Sequence, residues 1–288
     1  MHDHFIQTRS LRMHVVEAGP ADGELVVLLH GFPEYWAGFE RQIGALADAG
    51  YRVAVPDQRG YNLTERPGPV DQYRLERLGQ DVIDLIDALG HSRAHLVGHD
   101  WGGNVAWWCA TAHPDRLHTL TTLNMPHWAV MQRAIYGRLS QLKRSWYILF
   151  FQLPLLPELL LSANGSEALA KSLVMHSAAP ISDARLAGYR RAWARPGAIT
   201  AMLAWYRAVA RHQPPRPAST RVTTPTLMLW GDDDPIFDPD LPDLSVQLCD
   251  DATLIRIPGA SHFVQFDATD EVNHHLVRFL ADHRQRTP

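Results

Sequence analysis

The segment Gly98-His99-Asp100-Trp101-Gly102 sets one carboxylate between small residues. That spacing lets a strand turn sharply into a helix and present the central side chain at the tip. The common form is G-x-S-x-G, with serine at the tip. A carboxylate there is already ionised at neutral pH and needs no base to act as a nucleophile. It suits displacement at an electrophilic saturated carbon, giving an alkyl ester, better than acyl transfer. Cleaving that ester takes a histidine to activate water and an acid to orient the histidine. His262, in Pro258-Gly259-Ala260-Ser261-His262-Phe263, is the histidine candidate, and Gly231-Asp232-Asp233-Asp234-Pro235 offers three acids. Taken alone, Asp100 could be a helix N-cap and His262 an ordinary loop histidine. Gly98 before Asp100, and Gly102-Gly103 after it, favour the chemical reading.

These residues need elements to bring them together. Val26–Leu29, Tyr51–Val55, Ala94–Val97 and Leu117–Leu123 are short apolar or β-branched runs that read as buried strands. Leu75, Leu78, Val82, Leu85, Ile86 and Leu89 recur at helical spacing, and Gly90 follows as a stop. The alternation resumes after residue 221 with Thr226–Trp230 and Thr253–Ile257, and a last helix spans about Glu271 to Leu280. Ile6–Val16 predicts one or two antiparallel edge strands. Strands separated by helices imply an α/β fold, a mostly parallel twisted sheet flanked by helices. The candidate residues all fall after strands, at the carboxyl ends where open α/β sheets gather ligands.

From about Trp128 to Arg216 the alternation stops, and the chain is helical and rich in aromatic residues. It reads as a helical cap inserted after the sixth strand, closed by the stiff run Pro214-Pro215-Arg216-Pro217. The expected division is therefore a core of 1–127 and 217–288 around a cap of 128–216.

Three features together carry a resemblance. They are His30-Gly31-Phe32-Pro33-Glu34 followed by Trp36, the Asp100 turn, and the order nucleophile, acid, histidine along the chain. With Tyr147 in Tyr-Ile-Leu-Phe-Phe-Gln and Tyr206 in Trp-Tyr-Arg, the chain resembles the epoxide hydrolase branch of the α/β-hydrolase superfamily over nearly its whole length. The resemblance implies Asp100 as nucleophile and His262 as base. Its pattern selects Asp234 as the acid, with Asp232 the next candidate. Tyr147 and Tyr206 would be the lid tyrosines that donate to the leaving oxygen, and the N–H groups of Phe32 and Trp101 would form the oxyanion hole. Phe32, Trp101, Trp146 and Phe151 are candidate substrate contacts, and Phe32-Pro33 is a candidate cis peptide. The implied reaction is hydrolysis of a small apolar epoxide to a vicinal diol, with water as the only partner and no cofactor or metal.

Other readings share parts of this set. Haloalkane dehalogenases use the same Asp, His and acid, but typically carry Asn or Glu where this chain has Phe32, and lack the paired lid tyrosines. Fluoroacetate-type dehalogenases carry arginines just after the nucleophile, where this chain has Trp101 and Asn104. A catalytically weak hydrolase fold serving as a binding module would hold the same groups misaligned. Tyr147 could simply be core. His30 and His99 suit structural hydrogen bonding, Trp107 and Trp108 packing, and Asp57 a buried structural role paired with Arg59.

Composition narrows the rest. A net charge of −4 with mixed signs and no basic stripe argues against nucleic acid. Cys109 and Cys249 read as buried free thiols, and no H-E-x-x-H or paired Cys/His spacing suggests a metal. The N-terminal residues lack a signal-peptide pattern, so a cytoplasmic location is the expectation. The run Trp146–Leu161, broken by Pro154 and Pro157, is too short to cross a bilayer and reads as a buried or lid segment.

Overall fold

The computed structural model describes residues 1–212, 217 and 219–284. The strands are β1 (His2–Gln7), β2 (Arg12–Ala18), β3 (Leu25–Leu29), β4 (Arg52–Pro56), β5 (Ala94–His99), β6 (Leu117–Leu123), β7 (Thr226–Gly231) and β8 (Ala252–Ile257). They form one sheet in the order β1-β2-β4-β3-β5-β6-β7-β8. β1 and β2 pair antiparallel, as does β2 with β4, and every later pairing is parallel. The doubly wound α/β sheet expected from the alternation is thus present, with its two antiparallel strands at one edge. β3, β5 and β7 are buried along their whole length, which is why none of them alternates apolar with exposed polar residues, although β5 carries the buried His95 and His99.

Helices α1 (Glu40–Asp48), α2 (Leu75–Ala88) and α3 (Trp101–Ala112) follow β3, β4 and β5. Between β6 and β7 lie α4 (Trp128–Gly137), α5 (Leu139–Arg144), α6 (Trp146–Phe150), α7 (Leu156–Met175), α8 (Asp183–Trp193) and α9 (Ala198–Arg211). Then come α10 (Leu241–Val246), α11 (Val264–Asp267) and α12 (Thr269–Asp282). The helical insertion therefore leaves the sheet and returns to the adjacent strand. Of its expected closing run, Pro214, Pro215 and Arg216 lie outside the described residues. The last helix starts two residues earlier than its apolar pattern, because its first turn is polar Thr269-Asp270.

Two polar clusters tie the core together, and one differs from expectation. Arg59 does not pair with Asp57. Its guanidinium makes two bonds to Asp81 on α2, at 2.7 and 2.6 Å, with both side chains buried. Asp57 instead accepts from His14 Nδ1 at 2.7 Å, Asn62 Nδ2 at 2.8 Å and the Trp36 N–H at 3.0 Å. A residue two positions along a chain that turns away is a poorer partner than one brought in by the sheet. His14 sits on β2 beside the end of β4, where Asp57 begins its loop.

Asp81→Ala leaves the Arg59 guanidinium buried without its counter-charge. The expected loss is about 3–5 kcal/mol of unfolding free energy, read from urea denaturation. An unchanged midpoint would mean that the pair contributes nothing net.

Candidate active site

β5 ends one residue before Asp100, whose backbone lies at φ 48°, ψ −121° and opens α3. That positive φ is strained for a residue with a side chain and is held by its surroundings. A Cβ on Gly98 would fall 2.3 Å from the Gly102 carbonyl oxygen, and one on Gly102 would fall 2.0 Å from that of Leu29. Glycine is therefore required on both sides of the turn, which lifts the carboxylate clear of the sheet.

Three loops converge on this carboxylate. From the loop after β3, across the cis Phe32-Pro33 peptide, the Phe32 N–H donates to Asp100 Oδ1 at 2.7 Å. The Trp101 N–H opens α3, where it has no intrahelical acceptor. From the loop after β8, His262 brings Nε2 to 3.6 Å from Asp100 Oδ2. From the loop after β7, Asp234 Oδ2 receives His262 Nδ1 at 2.9 Å. The acid that meets His262 is thus Asp234, while Asp232 bridges to Arg256 at the surface at 2.8 Å.

Burial by itself would lower the pKa of His262. The Asp234 charge, together with that of Asp100, overrides burial and pushes it up to about 10. The same contact works in reverse on Asp100. Burial would raise its carboxyl, yet His262, His99 and the Phe32 N–H hold it below the usual range. At neutral pH the site is one imidazolium between two carboxylates.

Several supporting residues gave no signal in the sequence. Asn124, at the end of β6 with φ 39°, donates from Nδ2 to Asp234 Oδ2 at 2.7 Å and accepts from the Gly231 N–H at 2.8 Å. It fixes both the acid and the loop that carries it. Glu34 is buried and accepts from Tyr189 Oη at 3.1 Å and Gln265 Nε2 at 3.3 Å. His99 Nδ1 lies 2.9 Å from Glu34, and its Nε2 lies 2.8 Å from the His262 carbonyl, which can only accept. His99 therefore joins Glu34 to the His262 loop. Burial opposes the Glu34 charge, but His99 holds that carboxyl below its ordinary value. The structural role expected for His99 holds, and it links the loop after β3, the Asp100 turn and the His262 loop.

The helical insertion supplies the roof. Tyr206 on α9 packs edge-on against Trp101 at 4.9 Å and Phe32 at 5.2 Å between ring centroids. Phe151 lies 5.0 Å from Tyr206, and Tyr147 on α6 lies 6.0 Å from it. Arg207 joins the two segments: it donates to the carbonyls of Phe151 and Leu153 and grips Glu158 with two bonds. Burial, then the charge of Asp100, drives both phenols well above the ordinary tyrosine range, so they remain protonated donors. Trp146 does not join them. It is 62% exposed, and its one ring contact among the described residues is with Phe150, because neighbouring helix positions point about 100° apart and Tyr147 takes the inward direction. A separate open cavity of about 770 Å³ lies over α7, α8 and the start of α9, and none of the five candidate catalytic residues lines it.

Comparison with known proteins identifies the family and the fold. Residues 24–269 match the model of the α/β hydrolase fold family. The chain is 40% identical over 277 residues to the AB hydrolase superfamily protein YfhM of Bacillus subtilis, covering 96% of each chain. It is 34% identical to epoxide hydrolase 1 of Caenorhabditis elegans, covering 96% of this chain and 69% of that one. An inhibitor-bound epoxide hydrolase of Bacillus megaterium superposes with a TM-score of 0.87 at 26% identity, covering 96% of this chain and all of that one.

Because the pKa of His262 rises from 6.5 to about 10 on folding, the stability it contributes is complete below pH 6.5. It is lost as pH climbs through the interval up to about 10. The expected result is a melting-temperature gap between the wild type and His262→Gln that is wide near pH 6.5 and narrows steadily toward pH 10. A constant gap would contradict a protonated His262.

Proposed function

The chain belongs to the epoxide hydrolases of the α/β-hydrolase fold, and on that premise we propose that it converts a small apolar epoxide to the vicinal diol through an ester on Asp100. The observation that carries the reading is His262 held between Asp100 and Asp234, with the buried Tyr206 and the half-buried Tyr147 packed beside Phe32 and Phe151 above them.

In the first step a carboxylate oxygen of Asp100 attacks a ring carbon, and the ring C–O bond breaks. The departing oxygen takes a proton from Tyr147 or Tyr206. Their raised pKa keeps the phenols protonated until that moment, and the strain of the ring lets a weak acid suffice. Asp100 is now a neutral ester. His262 has lost one of the two charges that held its proton, so its pKa falls, and the proton it gives up restores the phenol.

Neutral His262 then takes a proton from water, and the hydroxide adds to the ester carbonyl. The oxygen that becomes negative is Oδ1, which the Phe32 N–H already contacts, with the Trp101 N–H as second donor. Collapse expels the diol oxygen, which collects the proton from His262. The carboxylic acid left on Asp100 returns its own proton to His262, and the site regains its starting charges. Asp234 stays ionised throughout and steadies the imidazolium. The apolar walls formed by Phe32, Trp101 and Phe151 suit an apolar substrate.

Single turnover in ¹⁸O-labelled water tests the ester directly. The first diol is expected to carry unlabelled oxygen from Asp100, and label in that diol would mean direct attack by water. Asp100→Ala is expected to abolish diol formation, and His262→Gln to accumulate protein heavier by one substrate. Tyr147→Phe and Tyr206→Phe are each expected to slow ester formation by about 10²-fold or more, and an unaffected double variant would remove them from the reaction.

A further inference from the structure

The short helices α5 and α6 are amphipathic in the wrong sense for a surface in water. Leu139 is 75% exposed, Trp146 62% and Leu149 66%, and Leu142 is exposed as well. Two polar residues of the same stretch, Gln141 and Ser145, are buried, while Ser140, Lys143 and Arg144 are exposed beside the leucines. Gln141 is bound on three sides: it donates to Ser145 Oγ and to the Ile236 carbonyl, each at 3.0 Å, and accepts from the Asp238 N–H at 2.8 Å. The orientation is therefore locked, with the leucines turned outward. Only Ser145, at φ −92° and ψ 15°, separates the two helices. Leu139, Leu142, Trp146 and Leu149 thus follow one another at intervals of three and four residues, and Leu153 continues the spacing. An apolar stripe of this kind on a soluble protein marks a contact surface.

Charge says what the contact is with. From Leu117 to Pro157 the sequence has no Asp or Glu, although the whole chain carries −4. The charges in that span are Arg133, Arg138, Lys143 and Arg144. Arg138 and Arg144 are bridged to Asp238 and Asp240, while Arg133 and Lys143 are exposed with no such partner among the described residues. Lysine is depleted at protein interfaces. Symmetric pairing of two copies through this stripe would also set their like charges together. Leucines with a tryptophan, accompanied by Arg133 and Lys143, which no carboxylate among the described residues bridges, instead match a helix lying in the headgroup region of an anionic bilayer. No described helix is long and apolar enough to cross a membrane, so the contact would be with one face only.

We propose that the outer face of α5 and α6 docks the protein on anionic lipid surfaces, with Leu139, Leu142, Trp146 and Leu149 inserted among the headgroups and Lys143 above them. Tyr147 lies on the inner side of the same turn. The docking face and the roof of the catalytic site are therefore two sides of one helix, and the docking stands whether or not the proposed reaction is right.

Co-sedimentation of the purified full chain with vesicles of phosphatidylcholine, alone or mixed with phosphatidylglycerol, tests this. Wild type is expected to bind the mixed vesicles and to release as salt is raised. Leu139→Ser/Leu149→Ser, which alters only exposed side chains, is expected to lower the partition coefficient at least tenfold with the melting temperature retained. Lys143→Glu is expected to weaken binding to the mixed vesicles several-fold and to leave any binding to phosphatidylcholine unchanged. Wild type remaining in the supernatant with both vesicles would overturn the proposal, as would equal binding by the double-serine variant. If sedimentation velocity instead shows self-association that the double-serine variant abolishes, with vesicles unbound, a second copy covers the face and the lipid assignment fails.

Discussion

The site depends on keeping the Asp100 carboxylate charged where little water reaches it. Burial opposes that charge, and His262, which also contacts Asp234, answers it. If His262 were absent, Asp100 would be pressed toward its protonated form. If Asp234 were absent, His262 would lose its principal attraction for a proton. Asn124, Glu34, His99 and Gln265 tie the three loops to one another around this contact. The strained φ of Asp100 and the two crowded glycines belong to the same arrangement, since they let the carboxylate reach the imidazolium at all.

On the proposed reaction, one histidine would serve opposite roles. As an imidazolium it would stabilise the Asp100 carboxylate. Once Asp100 became an ester, one of the two carboxylates that hold the proton would be gone, and the same ring could act as a base. The switch would lie in the substrate's own bond to Asp100.

What could be seen in the sequence was what is local or repeats. β3, β5 and β7 were legible because both their faces are buried and their residues are mostly apolar. The Asp100 turn was legible because its steric demands fall on immediate neighbours. The partner of Arg59 was not, because Asp81 approaches from a helix that only the folded sheet brings near. Asn124 was silent for the same reason: an asparagine at a strand end has many uses, and its contact with Asp234 spans the entire helical insertion. The resemblance singled out Tyr147 as a lid tyrosine, but the sequence also offered its neighbour Trp146 as a substrate contact. The direction set by Gln141 and its three bonds turns Trp146 outward instead.

The insertion between β6 and β7 also sets an order of assembly on the ribosome. Asp100 emerges with β5, and the whole helical layer must follow before Asp234 and His262 are made. Until then Asp100 lacks the contact with His262. That contact can form only after β8 is made and added at the edge beyond β7. A chain stopped short of β8 would hold Asp100 without the residue that keeps its carboxyl below the usual range. The site is therefore completed among the last parts of the molecule to be made, although Asp100 is synthesised before the whole helical insertion.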